Sequence, residues 1–136
     1  MPGNREQSKI YVPLRKASIG RLNLRRIENS VGEAMPDVIG INRKGNSFWL
    51  ELKYLDEWPK RNTTFPLNGA FERGQLGFSR QWNDWKGHAY ILLVVGKDYI
   101  LLNPFHQLDK MNKDELLSMA TLVIGKELVV KYLENL

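Results

Sequence analysis

Two neighbouring segments constrain the fold of this chain more than any other feature of its sequence. Residues 37–42 (Asp-Val-Ile-Gly-Ile-Asn) and 47–54 (Ser-Phe-Trp-Leu-Glu-Leu-Lys-Tyr) are rich in β-branched and aromatic side chains, which favour strands. The residues between them include Gly45 and Asn46, which tolerate the positive φ of a tight turn. The pattern therefore predicts a β-hairpin over residues 37–54.

The remaining elements alternate between helix and strand on both sides of this hairpin. We expect a short first helix near residues 5–16, where Pro13 limits regularity, and an arginine-rich strand over 21–27. After the hairpin, the pattern predicts a long loop over 55–70, a helix over 72–86, strands over 88–95 and 97–102, and helices from Asn112 and over 126–134. This order predicts one α/β or α+β domain, residues 1–136, with a central mixed sheet flanked by helices.

Composition excludes several classes of protein. The chain has no cysteine, which excludes disulfide scaffolds, cysteine-based zinc sites and thiol catalysis. It has no apolar run near the roughly 20 residues that a membrane span requires. The polar first residues lack the apolar core of a signal peptide. We therefore expect an intracellular, cytoplasmic protein without a membrane partner.

Positive charge is concentrated in the first two thirds of the chain. Residues 1–86 contain fifteen basic and nine acidic residues, whereas residues 87–136 contain five basic and six acidic residues. A basic region of this kind suits a polyanion such as nucleic acid, because each phosphate contact releases condensed counterions. A basic surface that is merely solvated is the alternative.

Three charged residues of the hairpin form the most informative constellation. Side chains alternate along a strand, so Glu51 and Lys53 project to one face, and pairing of the hairpin brings Asp37 beside them. Two carboxylates are suited to Mg²⁺ or Mn²⁺, and a lysine can orient a water molecule or stabilise phosphate charge. The alternative is an ion pair on an exposed strand. The apolar flanks disfavour it, because buried charges require a metal or a partner.

The chain resembles the VRR-NUC branch of the PD-(D/E)XK nuclease superfamily, in particular its small, phage-type, Holliday-junction-resolvase-like members. The resemblance spans roughly residues 25–104. It rests on the stretches Arg26-Ile-Glu-Asn-Ser-Val-Gly, Met35-Pro-Asp-Val, Trp49-Leu-Glu-Leu-Lys-Tyr-Leu and Glu57-Trp-Pro-Lys60. It implies a restriction-endonuclease-like fold, hydrolysis of phosphodiester bonds with a divalent metal, a homodimer and, for a phage protein, the host cytoplasm.

The resemblance also implies roles for individual residues. Asp37, Glu51 and the backbone carbonyl of Leu52 would bind the metal, and Lys53 would assist the attacking water. A glutamine early in the helix after the Glu-x-Lys strand would support them, and Gln75 matches it.

Two of these assignments have rivals in the sequence. Gln81 is the alternative to Gln75. A further acidic ligand usually precedes the aspartate in this superfamily. Glu28 matches that residue, and Glu6 in the predicted first helix is its rival.

Other basic and aromatic residues are candidates for contact with nucleic acid. Arg26, Lys60, Arg61 and Arg73 flank the motifs and are expected to contact phosphates, which position a duplex without reading its sequence. Trp58 lies in the long loop and is a candidate for stacking or wedging between bases. The other tryptophans are Trp49, Trp82 and Trp85. We expect these three in the core, because their spacing follows apolar faces.

Together these features predict a Mg²⁺-dependent endodeoxyribonuclease that uses no small-molecule cofactor and accepts Mn²⁺ in place of Mg²⁺. The predicted substrate is branched or duplex DNA. The apolar carboxyl-terminal helices are expected to form a homodimer interface. A sequence-specific, homing-type endonuclease on the same core and a non-catalytic DNA-binding module remain alternatives.

Overall fold

The computed structural model describes residues 5–27 and 35–136, with the side chains of residues 120–123 excepted. Its centre is a six-stranded sheet in which spatial order follows chain order. The strands are β1 (Leu22–Arg26), β2 (Val38–Asn42), β3 (Ser47–Leu55), β4 (Ala89–Val95), β5 (Asp98–Leu102) and β6 (Ala120–Ile124). Neighbours are antiparallel except β3 and β4, which are parallel. The predicted mixed sheet is confirmed.

Helices cover both faces of the sheet. They are a π-helical segment (Glu6–Tyr11) that continues into α1 (Val12–Ala17), then α2 (Gln75–Asp84), a 3₁₀ turn (Leu108–Lys110), α3 (Lys113–Ser118) and α4 (Lys126–Glu134). The connection from β3 to the parallel β4 contains α2, as a parallel pair requires a crossover. Among the described residues, no helix is long and apolar enough to cross a membrane.

Alternate side chains of β3 enter two separate cores. Phe48, Leu50 and Leu52 are buried with residues of the π-helical segment, α1 and α4, among them Ile10 and Leu133. The opposite face of the sheet packs against the β3–α2 connection, α2 and α3. Its buried residues include Leu67, Ile91, Leu93 and Leu116. Glu51 and Lys53 belong to this second face, because their positions alternate with the first set.

The β2–β3 hairpin has the predicted turn. Gly45 has a φ of +85°, which glycine adopts without strain. Asn42 is buried, and its side-chain oxygen accepts hydrogen bonds from the backbone N–H groups of Lys44 and Asn46, each at 3.0 Å. Its amide nitrogen donates to the Leu133 carbonyl at 3.1 Å. The same side chain therefore shapes the turn and fixes α4 against it.

Pro13 explains the irregular first helix. Proline has no N–H, so an α-helical hydrogen bond from Pro13 to the Lys9 carbonyl is impossible. The Tyr99 hydroxyl donates to that carbonyl at 3.3 Å instead. The chain upstream is π-helical, and α1 begins at Val12, which places the proline in the first turn where it is tolerated.

Two expectations from the sequence were incomplete or wrong. Strand β6 was not anticipated, although its sequence Ala-Thr-Leu-Val-Ile favours a strand. Trp82 and Trp85 are not core residues, since their exposed fractions are 44% and 82%, whereas Trp49 is buried as expected. The carboxyl-terminal helix α4, expected to supply a homodimer interface, buries Val129 and Val130 in the first core and leaves the apolar side chain of Leu128 49% exposed.

Gly40 in β2 provides a test of the close packing between β1 and β3. A Cβ atom at this position would overlap the ring of Phe48 and lie 2.8 Å from Leu24 Cδ2. We expect Gly40→Ala to lower the free energy of unfolding by about 1–3 kcal/mol, because both neighbours must shift. Urea denaturation measures this difference.

Gly77→Ala is the matched control. A Cβ atom at Gly77 in α2 would meet no atom within 4 Å. We expect this substitution to raise the free energy of unfolding by up to about 1 kcal/mol, because alanine favours helix. Equal effects at both positions would contradict the packing argument.

Candidate active site

Strand β3 extends beyond its neighbour β2. The first residue of β2, Val38, pairs with Leu50, so the later residues of β3 have no β2 partner in the ladder. Glu51 and Lys53 follow in β3 and share one face of the sheet. Lys53 Nζ lies 3.3 Å from Glu51 Oε2. A carboxyl group and an ammonium group therefore meet where β2 ends.

Asp37 takes the place of the missing ladder partner. Its Oδ2 accepts a hydrogen bond from the backbone N–H of Leu52 at 2.8 Å. The N–H and C=O groups of one strand residue point to the same edge, so the Leu52 carbonyl also faces the side occupied by Asp37. The hairpin thus brings together the two carboxyl groups and the backbone carbonyl that the sequence assigned to a metal.

The β3–α2 connection fixes the position of Lys53. Its Nζ donates to the Ala70 carbonyl at 2.6 Å and to Gln75 Oε1 at 3.2 Å. Gln75 is the first residue of α2, and its Oε1 also accepts from the backbone N–H of Glu72 at 2.9 Å. The Phe71 ring lies beneath the ammonium, with 5.0 Å from Nζ to the ring centroid.

Gln75, rather than Gln81, contacts the predicted site. Gln81 lies later on α2 and lines a surface groove with Trp85 and Ser47. The Ala70 carbonyl, in contrast, was not identified from the sequence. A backbone carbonyl has no residue-type signal, and its position depends on the path of the loop before α2.

Burial and a like-charged neighbour control the protonation of Glu51. The side chain is only 2% exposed. Desolvation and the nearby Asp37 carboxyl raise its pKa to about 8, although contact with Lys53 opposes this shift. Two carboxyl groups this close repel each other when both are ionised. A divalent cation between them would remove that repulsion, so the donor set fits a metal.

None of the described residues occupies the position of the additional acidic ligand. Glu28 lies outside them. Glu6 begins the π-helical segment. Within residues 5–27 and 35–136, no three Asp, Glu, His or Cys side chains form a group able to hold a metal, so Glu6 does not complete such a group with Asp37 and Glu51.

The predicted nucleic-acid contacts have different environments. Lys60, Arg61 and Arg73 are exposed on the β3–α2 connection, and Arg73 precedes Gln75 by two residues. Arg26 is half-buried at the end of β1, with its guanidinium 6.0 Å from the centroid of the Tyr11 ring.

Trp58 is more enclosed than a free wedge residue. It is half-buried and packs against the second core. Lys113 Nζ lies 5.2 Å from the centroid of its ring. A base could stack on this ring only if the Lys113 side chain moved.

Comparison with known proteins identifies a solved structure that has the same fold as this chain. No protein-family model matches the sequence, and no curated protein is similar to it. Among solved structures, the chain is similar to Hjc, a Holliday junction resolvase from the archaeal hyperthermophile Archaeoglobus fulgidus. The TM-score is 0.61 at 14% identity, and the match covers 94% of this chain and 99% of Hjc. The chain has the α/β fold of this resolvase, and the predicted fold class is confirmed.

The raised pKa of Glu51 predicts how stability depends on pH in the metal-free protein. The folded state binds this proton more tightly than the unfolded chain, whose carboxyl has an ordinary pKa of 4.5. The resulting stabilisation is complete below pH 4.5 and is lost as the pH rises to about 8. Glu51→Gln remains neutral at every pH. We expect its free energy of unfolding to match that of the wild type near pH 4.5 and to be higher by on the order of a few kcal/mol above pH 8.

Urea denaturation of both proteins in EDTA across this pH range measures the difference. Titrating groups that do not contact Glu51 cancel in the subtraction, so the difference reports Glu51 together with its neighbours Asp37 and Lys53. Stability curves that stay parallel from acid to alkaline pH would show that Glu51 titrates normally.

Proposed function

We propose that this protein is a metal-dependent endodeoxyribonuclease of the PD-(D/E)XK type, in its VRR-NUC branch, that hydrolyses phosphodiester bonds in branched or duplex DNA. The observation that carries the proposal is the convergence of Asp37, Glu51 and Lys53 where β3 extends beyond β2. The similarity in fold to a Holliday junction resolvase supports DNA as the substrate and favours branched DNA.

Asp37, Glu51 and the Leu52 carbonyl would hold Mg²⁺ or Mn²⁺, with Glu28 as a further acidic ligand, since Glu6 does not form a group with Asp37 and Glu51 among the described residues. The bound ion would polarise the phosphate and lower the pKa of a water molecule. The hydrogen bond from the Leu52 N–H holds the Asp37 carboxylate in place before any ligand arrives. The site is therefore preorganised on the rigid centre of the sheet.

Lys53 is held for contact with the reacting phosphate or the attacking water. An ammonium has three N–H donors, and three acceptors surround this one: the Ala70 carbonyl, Gln75 Oε1 and Glu51 Oε2. The first two are uncharged groups that fix the position of the ammonium. If Glu51 held a cation, the Lys53 donor that faces Glu51 would be available for a phosphate oxygen or a water molecule.

Cleavage of labelled four-way-junction, flap, linear-duplex and single-stranded DNA tests this function. We expect cutting with Mg²⁺ or Mn²⁺ and none with EDTA. Glu51→Gln and Asp37→Asn should each lower kcat by on the order of 100-fold or more, because each removes a charge that the cation requires. Gln75→Ala should lower it by about 10- to 100-fold through the loss of an acceptor for Lys53.

Gln107→Ala is the control, since it changes the same residue type at an exposed position outside both the active site and the groove of α2. Equal rates for the Gln75 and Gln107 variants would remove Gln75 from the proposal. Binding without cutting on every substrate would instead indicate a non-catalytic DNA-binding module. Cutting at one defined site in linear DNA would indicate a sequence-specific enzyme.

The proposed active form is a homodimer, and exposed aromatic side chains of α2 and of its C-cap residue, Trp85, supply its interface. Trp85 is 82% exposed and Trp82 44% exposed, and with Phe78 they line a groove of about 650 Å³. Phe78 and Trp82 stack at 5.7 Å, and both contact Trp49 edge to face, so this surface is anchored to β3. Exposed aromatic patches of this kind mark protein interfaces.

Sedimentation equilibrium of Trp85→Ser tests the interface. The side chain makes little contact within the monomer, so we expect the fold to be retained and the dimer dissociation constant to rise roughly 30-fold, the effect of one interface hot spot. Leu128→Ser is the control, because Leu128 is a 49% exposed residue of α4. A larger rise in the dimer dissociation constant for Leu128→Ser would indicate that the interface lies on the carboxyl-terminal helix instead.

A further inference from the structure

A groove along the free edge of the sheet carries charge that the proposed active site does not use. β1 is the first strand in the sheet order, so one of its edges has no strand partner among the residues that the structure describes. The groove on this edge has a volume of about 400 Å³ and is lined by α1, β1 and the end of β2. Four arginines and no acidic residue line it: Arg15, Arg21, Arg25 and Arg43.

One of these arginines is neutralised within the protein. Arg21 forms salt bridges with Glu127 and Glu134 of α4, each at 2.8 Å. Within the part of the chain that the structure describes, Arg15, Arg25 and Arg43 form no such bridge. The groove therefore concentrates positive charge that no acidic residue in the ranges 5–27 and 35–136 neutralises at Arg15, Arg25 or Arg43.

Backbone carbonyls orient two of these guanidinium groups. Arg43 Nε donates to the Gly20 carbonyl at 2.9 Å, and an Arg25 terminal nitrogen donates to the Leu24 carbonyl at 3.2 Å. A guanidinium has five N–H donors, so each keeps several for a ligand. Partly immobilised guanidinium groups without carboxylate partners are suited to phosphate oxygens, which they bind through paired hydrogen bonds.

The groove lies in line with the proposed active site. Strand β1 is antiparallel to β2, so Arg26 lies opposite Val38 beside Asp37, and Leu22 lies opposite Asn42 at the hairpin turn. The β1 residues that line the groove, Leu22 to Arg25, thus begin one residue from the active-site end and extend by about 10 Å, the length of three strand residues. This length corresponds to about three base pairs of duplex, since each advances about 3.4 Å along the axis.

Arg25 lies on the face of the sheet that carries Glu51 and Lys53. Leu22 and Leu24 enter the first core, together with Leu50 and Leu52 of β3. The alternating position of Arg25 therefore projects from the same face as Glu51 and Lys53. A DNA backbone bound at the site can reach Arg25 along this face. Arg15 belongs to α1, which covers the opposite face, so the groove lies across the edge of the sheet and meets the backbone there.

We propose that the groove of Arg15, Arg25 and Arg43 is a second binding site, which holds the phosphodiester backbone of DNA a few base pairs from the cleaved bond. This inference rests on the proposed function and assigns it a flanking contact. The groove positions the duplex and does not read its sequence, because its charged groups meet phosphates rather than base edges.

The test compares DNA binding by the triple variant Arg15→Ala/Arg25→Ala/Arg43→Ala with binding by Lys97→Ala/Lys110→Ala/Lys126→Ala. The control removes three exposed charges from the less basic end of the chain. Fluorescence anisotropy with a long duplex in EDTA gives the affinity for DNA. Measurements from roughly 50 to 300 mM KCl give its salt dependence, which reports the number of counterions released. We expect the arginine variant to bind roughly tenfold or more weakly at about 100 mM salt and its salt slope to fall by about 2–3, with little change in the control.

A third variant separates charge from folding. Arg15→Lys/Arg25→Lys/Arg43→Lys keeps the three charges, so its salt slope should remain near that of the wild type. Thermal denaturation verifies that all variants fold. An unchanged slope in the folded alanine variant would overturn the proposal.

Duplex length and inorganic phosphate identify the ligand. A duplex too short to reach the groove should bind the wild type and the alanine variant equally. If the alanine variant loses affinity for inorganic phosphate but keeps the wild-type salt slope for DNA, the groove is a small-anion site and the proposal fails. Cleavage of the short duplex in Mg²⁺ reports the active site separately, so loss of the nuclease activity and loss of the groove contact are distinguishable.

Discussion

Burial of Glu51 in the central strand is the constraint on which the site depends. A carboxylate removed from water requires compensation, and the structure surrounds this one with Lys53 on one side and the carboxyl group of Asp37 on the other. The lysine favours ionisation, whereas burial and Asp37 oppose it more strongly. The metal-free site therefore retains a proton on Glu51 near neutral pH, and a divalent cation is the ligand that would replace that proton.

The difference in length between two strands creates the space for this chemistry. A β2 strand that continued would cover the polar edge of Leu52 with a backbone ladder. Because β2 begins at Val38, the Asp37 side chain accepts a hydrogen bond from the Leu52 N–H, and the Leu52 carbonyl has no partner in the β2–β3 ladder. The same irregularity gives the Asp37 carboxylate a fixed position beside Glu51. In the proposed nuclease, this strand end would hold the metal, and a hydrogen bond to a carboxylate replaces one to a backbone carbonyl.

The surfaces outside this centre are specialised by side-chain type. Aromatic residues of α2 form an apolar surface anchored on Trp49, while arginines line the free edge of β1. Arg21 shows how the domain separates structural from free charge, since it links the start of β1 to α4 through two carboxylates. The neighbouring arginines lack such partners in the described residues. An apolar surface suits a second protein chain, and an unpaired basic groove suits a polyanion.

The sequence by itself determined the hairpin, the mixed sheet and the shared face of Glu51 and Lys53, because strand periodicity and turn residues act over a few neighbouring positions. Tertiary structure decided the rest. The Ala70 carbonyl meets Lys53 only through the path of the β3–α2 connection. Exposure of Trp82 and Trp85 reflects which part of α2 the sheet covers, and helical spacing alone does not contain that information. Contacts between distant segments depend on packing of the whole domain, which local pattern does not encode.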